Sequence, residues 1–594
     1  MYKGKKAMKF KLLREKLLHD EKIEFYKEII GLMQNPFGML SLECKQYLEQ
    51  SETPDVETYI KALSKDSRDK YKQNITFGQL VMWEKYLNAY LELNEVKKEL
   101  KSIEVIYYGD NYLKSNEQIL SIMTVFAKAK AAISKIESEL SVDRYLDTIA
   151  EADFIFLVNI FDEIHRMMEE KLKAYKSLYT AKWNSGNICE IMLHKLVRSN
   201  MDNQVCSLFP SKRRHTFLFI IDGLGLGQYL WSKEVVPSNQ NFVYSENVFK
   251  WLAKSKLSEE YILGAPLVTD TAAGLCQIYT GRTSKETRVF SSTVKRYDRP
   301  SFTSVKDEQE ISFKEIANTD NLSFTVDISS ECEQMKIYYC SKYDRNRISG
   351  FSKYLFDGAE VISIVPPERV FSFLREDCRN LKKGATVVYI TSIDNSGHVM
   401  GSFSQFERYE HEKLNSLIRN FLIELAKEHS ELFDGTTSIL LTADHGMTES
   451  YRINISRKDI LDELHRNHKH AERLIEANRA MFLYGVTQGI EESKIVLQAY
   501  FKNRKIDALI LSKEDDLFEQ FMPLEDSDYI DTTPDIVISL ISEGIFYSKE
   551  VGENLMHFGG HGGRSIDEVF VPVIEIELNQ KLLEAIEGRF LKFE

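Results

Sequence analysis

Along the first two hundred positions, apolar residues return every three or four places with charged residues between them. The stretches "FGQLVMWEKYLNAYLELNEVKKEL" (77–100) and "IFLVNIFDEIHRMMEEKLKAYKSLY" (155–179) carry this period clearly and predict half-buried helices. No internal repeat or low-complexity tract interrupts them. Near residue 215 the texture changes to short β-branched runs separated by helical segments. "TFLFIID" (216–222), "TVVYITSID" (386–394) and "SILLTAD" (438–444) are apolar at both parities, as strands covered on both faces are. "RYEHEKLNSLIRNFLIELAKEH" (408–429), between the last two, predicts an amphipathic crossover helix, and a last strand follows His561. Strand, helix and strand in this order imply a mostly parallel sheet flanked by helices, with right-handed crossovers.

The division this suggests is an all-α N-terminal domain over 1–205 and an α/β domain over 206–594. Segments near 283–385 and 447–550 read as inserted caps. A chain of 594 residues exceeds one compact core. Its 43% hydrophobic and 11% aromatic content belongs to folded protein. The net charge of −13 argues against broad non-specific binding to nucleic acid. The seven cysteines are scattered and contain no C-x-x-C, as free thiols in a reducing compartment are. The basic start lacks an apolar signal region, and no run approaches the roughly 18 apolar residues of a membrane span. The expectation is a cytoplasmic protein without a membrane partner. The basic run Lys3–Lys16 and the cluster "SKRRH" (211–215) read as solvated helix face and linker.

Each of the three buried runs ends in an aspartate, and ligands of open α/β sheets collect at the carboxyl ends of the strands. In "FLFIIDGLGLG" (217–227) the glycines stand at 223, 225 and 227. A dinucleotide fingerprint needs G-x-G-x-x-G and an acidic residue about twenty positions on, so the glycines read as a turn and Asp222 as the functional group. Asp394 lies in "DNSGH" with His398 four residues later, Asp444 in "TADHGM" with His445 adjacent, and His561 in "GGHGG". Taken singly, each has a plain reading as a turn, a cap or a tight loop. Together they supply three carboxylates and three imidazoles, enough for two divalent ions of the zinc type. Thr271 precedes "AAGLCQIYTG", a short helix of small residues. Its hydroxyl reads either as an N-cap or as a nucleophile whose pKa an ion lowers. Thr269 is close enough to compete for that second role.

In this order and spacing the motifs resemble the alkaline phosphatase superfamily. The likeness is greatest to its nucleotide pyrophosphatase/phosphodiesterase branch and to the PglZ group, whose histidine, Ser-x-x-Glu and Val-Pro are echoed by "GGHGGRSIDEVFVPVI". It covers about 215–580 and implies an alkaline-phosphatase-like core. It further implies two ions, Zn²⁺ or alternatively Mn²⁺, one on Asp394, His398 and His561 and the other on Asp222, Asp444, His445 and Thr271. Thr271 would then be the metal-activated nucleophile and would carry a covalent phosphoryl intermediate. One departure stands out. Diesterases of the family usually have an asparagine three residues after the threonine, where this chain has Gly274, and Arg282 and Lys285 are weak substitutes.

The inserted segments carry "SSTVKRYDRP", "SKYDRNRISGF" and "HRNHKHAERLIEANRAMFLYG". Basic residues interleaved with aromatics suit a nucleotide or short oligonucleotide, although ordinary cap surface has the same composition. "HRNHKH" (465–470) reads as a solvated face. The function implied is a phosphodiesterase or nucleotide pyrophosphatase, with a role in bacterial antiviral defence or signalling by family analogy. The alternatives are a phosphomonoesterase or phosphomutase on the same scaffold, and a non-catalytic scaffold in a multiprotein defence complex. The N-terminal helices would bind protein partners.

Overall fold

The structure, a computed structural model, describes residues 77–106, 112–140, 157–172, 215–234, 247–280, 334–340, 360–363, 367–449, 452–453, 455–487, 489–515, 518, 533–541, 544–546 and 559–591. The run Lys3–Lys16, Lys212 to Arg214 of the basic cluster, Arg282, Lys285 and the two cap stretches "SSTVKRYDRP" and "SKYDRNRISGF" lie outside these residues. The chain divides into two compact units, Met1–Tyr175 and Lys176–Glu594.

In the first unit the described residues form the helices Phe77–Ser102 and Tyr112–Leu140 and a third over 157–172. Their periodic apolar positions meet in a core that includes Leu93, Leu100, Ile122, Phe126 and Ile164. Exposed pairs such as Lys128–Glu99 at 2.9 Å and Lys135–Glu92 at 3.1 Å link the first two helices and add little to stability.

Among the described residues the second unit has fifteen strands. They are β1 (His215–Ile221), β2 (Glu259–Gly264), β3 (Gln334–Cys340), β4 (Glu360–Ser363), β5 (Gly384–Ile390), β6 (Thr437–Thr442), β7 (Thr448–Glu449), β8 (Arg452–Ile453), β9 (His470–Ala477), β10 (Ala480–Thr487), β11 (Ala508–Ser512), β12 (Ile536–Leu540), β13 (Ile545–Phe546), β14 (Gly559–Gly560) and β15 (Phe570–Leu578). Seven of them make the main sheet, in the order β2-β15-β6-β1-β5-β3-β4. Neighbours from β6 to β4 pair in parallel, and β15 runs antiparallel to both β6 and β2. This is the mostly parallel sheet flanked by helices that the apolar runs predict. Every residue of β1, β5 and β6 is buried, which is why their runs are apolar at both parities. Phe217 and Phe219 point to one face, where Phe371 of the helix Pro367–Cys378 and Phe421 of the helix Gln405–Glu428 pack on them at 5.5 to 6.2 Å.

Two differences from the sequence reading bear on the site. β5 ends at Ile390, and Asp394 falls in the first turn of a helix, Ser392–Met400, rather than at the end of a strand. Asp394 and His398 are therefore one helical turn apart on one face. Within segment 283–385, β3, β4 and the helix Pro367–Cys378 belong to the main α/β layer rather than to a cap. Within 447–550 the described residues include a four-stranded subdomain, its sheet in the order β11-β12-β10-β9, with helices Arg457–Arg466 and Ile490–Asn503 on a common apolar core. "HRNHKH" spans the end of the first helix and the start of β9. His465, Arg466, His468 and His470 are all exposed there, as a solvated face requires. Among the described residues no helix is long and apolar enough to cross a membrane.

Candidate metal centre

The centre forms where β1, β5 and β6 end side by side. Asp222 follows β1 directly, Asp444 stands two residues beyond β6, and the helix bearing Asp394 and His398 begins two residues beyond β5. The backbone locks these segments together. Asp222 N–H donates to the Ile390 carbonyl at 2.9 Å, and Asp394 N–H donates to the Asp222 carbonyl at 3.1 Å. Gly223 turns the chain with φ +76°, and a Cβ there would lie 3.0 Å from Asp394 Cα. The glycine after the first aspartate thus lets the second approach it.

All six acidic and imidazole residues named from the sequence meet at this point. His398 Nε2 is 3.3 Å from Asp394 Oδ1, and His561 Nε2 is 3.7 Å from the same oxygen. His445 Nε2 is 3.5 Å from Asp222 Oδ1 and 3.8 Å from Asp444 Oδ2. Ligand atoms fall within 4.8 Å of one another in two groups: Asp394, His445 and His561, and Asp222, Asp444 and His445. His445 sits within reach of both groups, its ring stacked on that of His561 at 3.9 Å.

Buried donors and acceptors test whether these residues fit a pair of cations. Each histidine turns Nδ1 to a backbone carbonyl: His398 to Gly559 at 3.0 Å, His445 to Gly446 at 3.0 Å and His561 to Thr269 at 2.8 Å. A carbonyl only accepts, so Nδ1 carries the proton and Nε2 turns toward the carboxylates. Two of the aspartates have one oxygen held by the protein. Asp222 Oδ2 accepts from Tyr389 Oη at 2.5 Å, and Asp444 Oδ1 accepts from the amides of His445 at 3.0 Å and Gly223 at 3.3 Å. The oxygens left over, Asp222 Oδ1 and Asp444 Oδ2, and also Asp394 Oδ1, are buried without a hydrogen-bond partner. Orphaned carboxylate oxygens facing imidazole nitrogens are the donor set of a transition-metal site.

The electrostatics agree. Burial, reinforced by the charges of Asp444 and Asp394, pushes Asp222 well above the usual carboxylate range. Burial and Asp394 push Asp444 up to about 8. Burial acts on Asp394 in the same direction, but His398, His561 and His445 outweigh it and hold this carboxyl well below its ordinary value. Burial brings His445 down, and burial with the neighbouring His445 brings His561 down to about 4. His398 rises despite burial, because Asp394 faces it. Asp222 and Asp444, buried beside each other and beside the ionised Asp394, are driven to hold protons, and divalent cations would take the place of those protons.

Thr271 lies at the rim of this cluster. The sequence allowed it to cap its helix, but Asp270 does so. Asp270 Oδ1 accepts from Ala272 N at 2.9 Å, and its carbonyl accepts from Gly274 N at 2.9 Å. Thr271 is the first helical residue, and its hydroxyl is directed at His445 Nε2, 3.0 Å away. Thr269 is fully buried and committed. Its Oγ1 accepts from Gly562 N at 2.7 Å and faces the Gly563 carbonyl at 3.1 Å and Glu568 Oε1 at 3.2 Å. Of the two hydroxyls, only that of Thr271 faces the cluster. Gly274 also finds its explanation, since a Cβ there would lie 2.8 Å from both the carbonyl carbon and Cβ of Asp444. Any side chain there, asparagine included, would force this helix and that aspartate apart.

Compared with known proteins, residues 341–576 match the family model described as the BREX system PglZ alkaline phosphatase-like domain. Over these residues the chain is similar to PglZ domains. The matched segment contains Asp394, His398, Asp444, His445 and His561, whereas Asp222 and Thr271 precede it. Among solved structures, murine ectonucleotide pyrophosphatase/phosphodiesterase 5 is 14% identical, with a TM-score of 0.41 over 60% of this chain and 87% of that one. Phosphonoacetate hydrolase from Sinorhizobium meliloti 1021, in complex with phosphonoacetate, is 14% identical, with a TM-score of 0.44 over 65% of this chain and 99% of that one. No curated protein matches the sequence.

Sequence reasoning did not find Tyr389, Asp270 or Arg479. Tyr389 sits in an apolar run and Arg479 in the polar turn between β9 and β10, and neither setting hints at a buried polar contact. Asp270 could have been found, because an aspartate just before a run of small helix formers is a strong cap signal.

Proposed function

We propose that this chain is a two-metal phosphoesterase, acting by preference on phosphodiesters such as nucleotides or short oligonucleotides through Thr271. The observation that carries the reading is the orphaned set of Asp222 Oδ1, Asp394 Oδ1 and Asp444 Oδ2 among three imidazoles, with one threonine hydroxyl turned toward it. Asp394, His398 and His561 would hold one divalent ion, and Asp222, Asp444, His445 and Thr271 the other, with Zn²⁺ as the first candidate and Mn²⁺ as the second. Such ions would lower the pKa of the threonine hydroxyl, neutralise charge on the phosphoryl oxygens and assist the departing oxygen.

The chain's own groups do the rest. The turn at Asp222, the helix from Ser392, the stretch after β6 with Asp444 and His445, and the loop at His561 place the donors on four separate segments around the ends of the central strands. Thr271 Oγ1 attacks phosphorus in line, forming a Thr271–phosphoryl ester as the bond to the leaving alcohol breaks. The hydroxyl proton, now directed at His445 Nε2, leaves with that step, and the departing alkoxide takes up a proton. Water then cleaves the ester and restores the hydroxyl. Burial of the cluster keeps it clear of bulk water, where the same charges would do less. The family's description names the BREX system, which supports a defence role, and the N-terminal helices are the natural seat for protein partners. A cytoplasmic site of action follows from the reduced-thiol reading of the cysteines.

The test is hydrolysis of bis(p-nitrophenyl) phosphate against p-nitrophenyl phosphate by protein loaded with Zn²⁺ or Mn²⁺. Faster diester cleavage, abolished in Thr271→Ala, is the expected result. Preference for the monoester would favour a phosphomonoesterase on the same scaffold. If protein carrying two ions cleaves neither, the scaffold reading takes its place.

A further inference from the structure

The loop that presents His561 is held by a buried ionic network that reaches into the four-stranded subdomain. Arg479 stands in the turn between β9 and β10, fully buried, and its Nε donates to Glu568 Oε1 at 2.9 Å. Its terminal nitrogens turn to the carbonyls of Gly544 and Leu540. Glu568 is also fully buried. Its Oε1 further accepts from Gly563 N at 2.7 Å and faces Thr269 Oγ1, while Oε2 accepts from Ser565 N at 3.0 Å and Ser565 Oγ at 2.6 Å. Thr269 completes the circuit. Its hydroxyl accepts from Gly562 N, and its carbonyl accepts the Nδ1 proton of His561. Two residues on stands Thr271.

We infer that Arg479, Glu568 and Thr269 are positioning residues that hold the imidazole of His561 and the hydroxyl of Thr271 in one geometry. A fully buried ion pair is a poor investment in stability, since apolar residues of similar volume often serve as well. Here one carboxylate gathers donors from both the histidine loop and the threonine segment, and the guanidinium balances its charge from a third element. The subdomain over 455–546 thereby acts on the chemistry through Glu568 as well as by any contact with substrate. This inference rests on the metal-site reading, and the experiment separates the two.

The probe is Co²⁺, followed by its visible absorption spectrum, with Zn²⁺ affinity measured by calorimetry and thermal unfolding run alongside. The variants are Thr269→Val, Thr269→Ser and the charge-neutral pair Arg479→Met with Glu568→Gln. Loss of groups that orient a ligand typically weakens metal binding by about 10- to 100-fold. Thr269→Val should weaken one of the two ions by that factor and shift the Co²⁺ bands, with Thr269→Ser restoring both. The double variant should shift the bands in the same way, which keeps the inference testable if Thr269→Val does not fold. Wild-type affinity and bands in Thr269→Val, or in the double variant, with only the unfolding temperature changed, would overturn the positioning role. Failure of the wild-type protein to bind two ions would instead overturn the metal-site reading beneath it.

Discussion

Substituting alanine for Gly274 tests how tightly the helix that begins at Thr271 is seated on Asp444, one of the proposed ligands. The new methyl would stand 2.8 Å from the carbonyl carbon and Cβ of Asp444, closer still to its carbonyl oxygen, and all the near atoms belong to Asp444. Contacts of this kind cost about 1–3 kcal/mol, because rigid backbone has to move. Against that, alanine is favoured over glycine inside a helix by about 1 kcal/mol. The net change in folding free energy is therefore small, about 0–2 kcal/mol by these two principles, and stability alone does not decide the matter. The site does. Relief of the clash separates the helix from Asp444, and Thr271 moves away from the group Asp222, Asp444 and His445. A loss of about 1.4 kcal/mol in binding is tenfold in affinity, and the ion at this group should weaken at least that much while the one at Asp394, His398 and His561 persists. Calorimetric titration with Zn²⁺, resolved into two sites and paired with thermal unfolding, reads both quantities. Two ions bound with wild-type affinity, at an unchanged unfolding temperature, would refute the steric argument.

Three further outcomes follow from the same geometry. Tyr389→Phe removes the hydroxyl that orients Asp222 Oδ2 and should weaken Zn²⁺ binding by about 10- to 100-fold with the fold intact; unchanged affinity in calorimetry would show that Asp222 needs no such support. Without metal, stability should fall as pH rises from about 6.5 to about 8. Across that window folded Asp222, Asp444 and His398, all raised, hold more protons than they do in the unfolded chain, which outweighs the residual protons that unfolded His445 and His561 lose while their lowered folded forms stay neutral. Urea denaturation in chelator across this window reads the slope, which saturating Zn²⁺ should abolish or reverse; stability rising with pH in chelator would contradict the assignment. Replacing His468 and His470 together by alanine should leave metal stoichiometry at the wild-type value, and loss of an ion would mean that "HRNHKH" is more than solvated surface.

The parts of the fold legible in the sequence were those with a strong period or a costly residue pattern. β1, β5 and β6 are buried on both faces, so their runs stand out. Asp222, Asp444 and His445 stand at or just beyond the ends of two of them, and Asp394 and His398 follow the third within one helix. β3 and β4 were not recognised, since "QMKIYYC" and "EVIS" are short and mixed, and pairing rather than composition makes them strands. The strand reading of "TSID" failed because Thr391 to Asp394 turn into a helix, and only the four-residue spacing of Asp394 and His398 hinted at it. Of the two readings the sequence leaves open for Thr271, the cap falls to Asp270 one residue earlier, and the threonine hydroxyl is left facing His445. The Arg479–Glu568 pair joins residues 89 apart in the chain, and no local pattern encodes such a contact.

The central claim is that Thr271 carries the phosphoryl group between two steps. Protein loaded with Zn²⁺ and mixed with a ³²P-labelled phosphodiester, then quenched in acid and digested, should yield a labelled peptide whose modified residue is Thr271, with no label in Thr271→Ala. Label on Thr269, or turnover of the diester by Thr271→Ala at the wild-type rate, would contradict it.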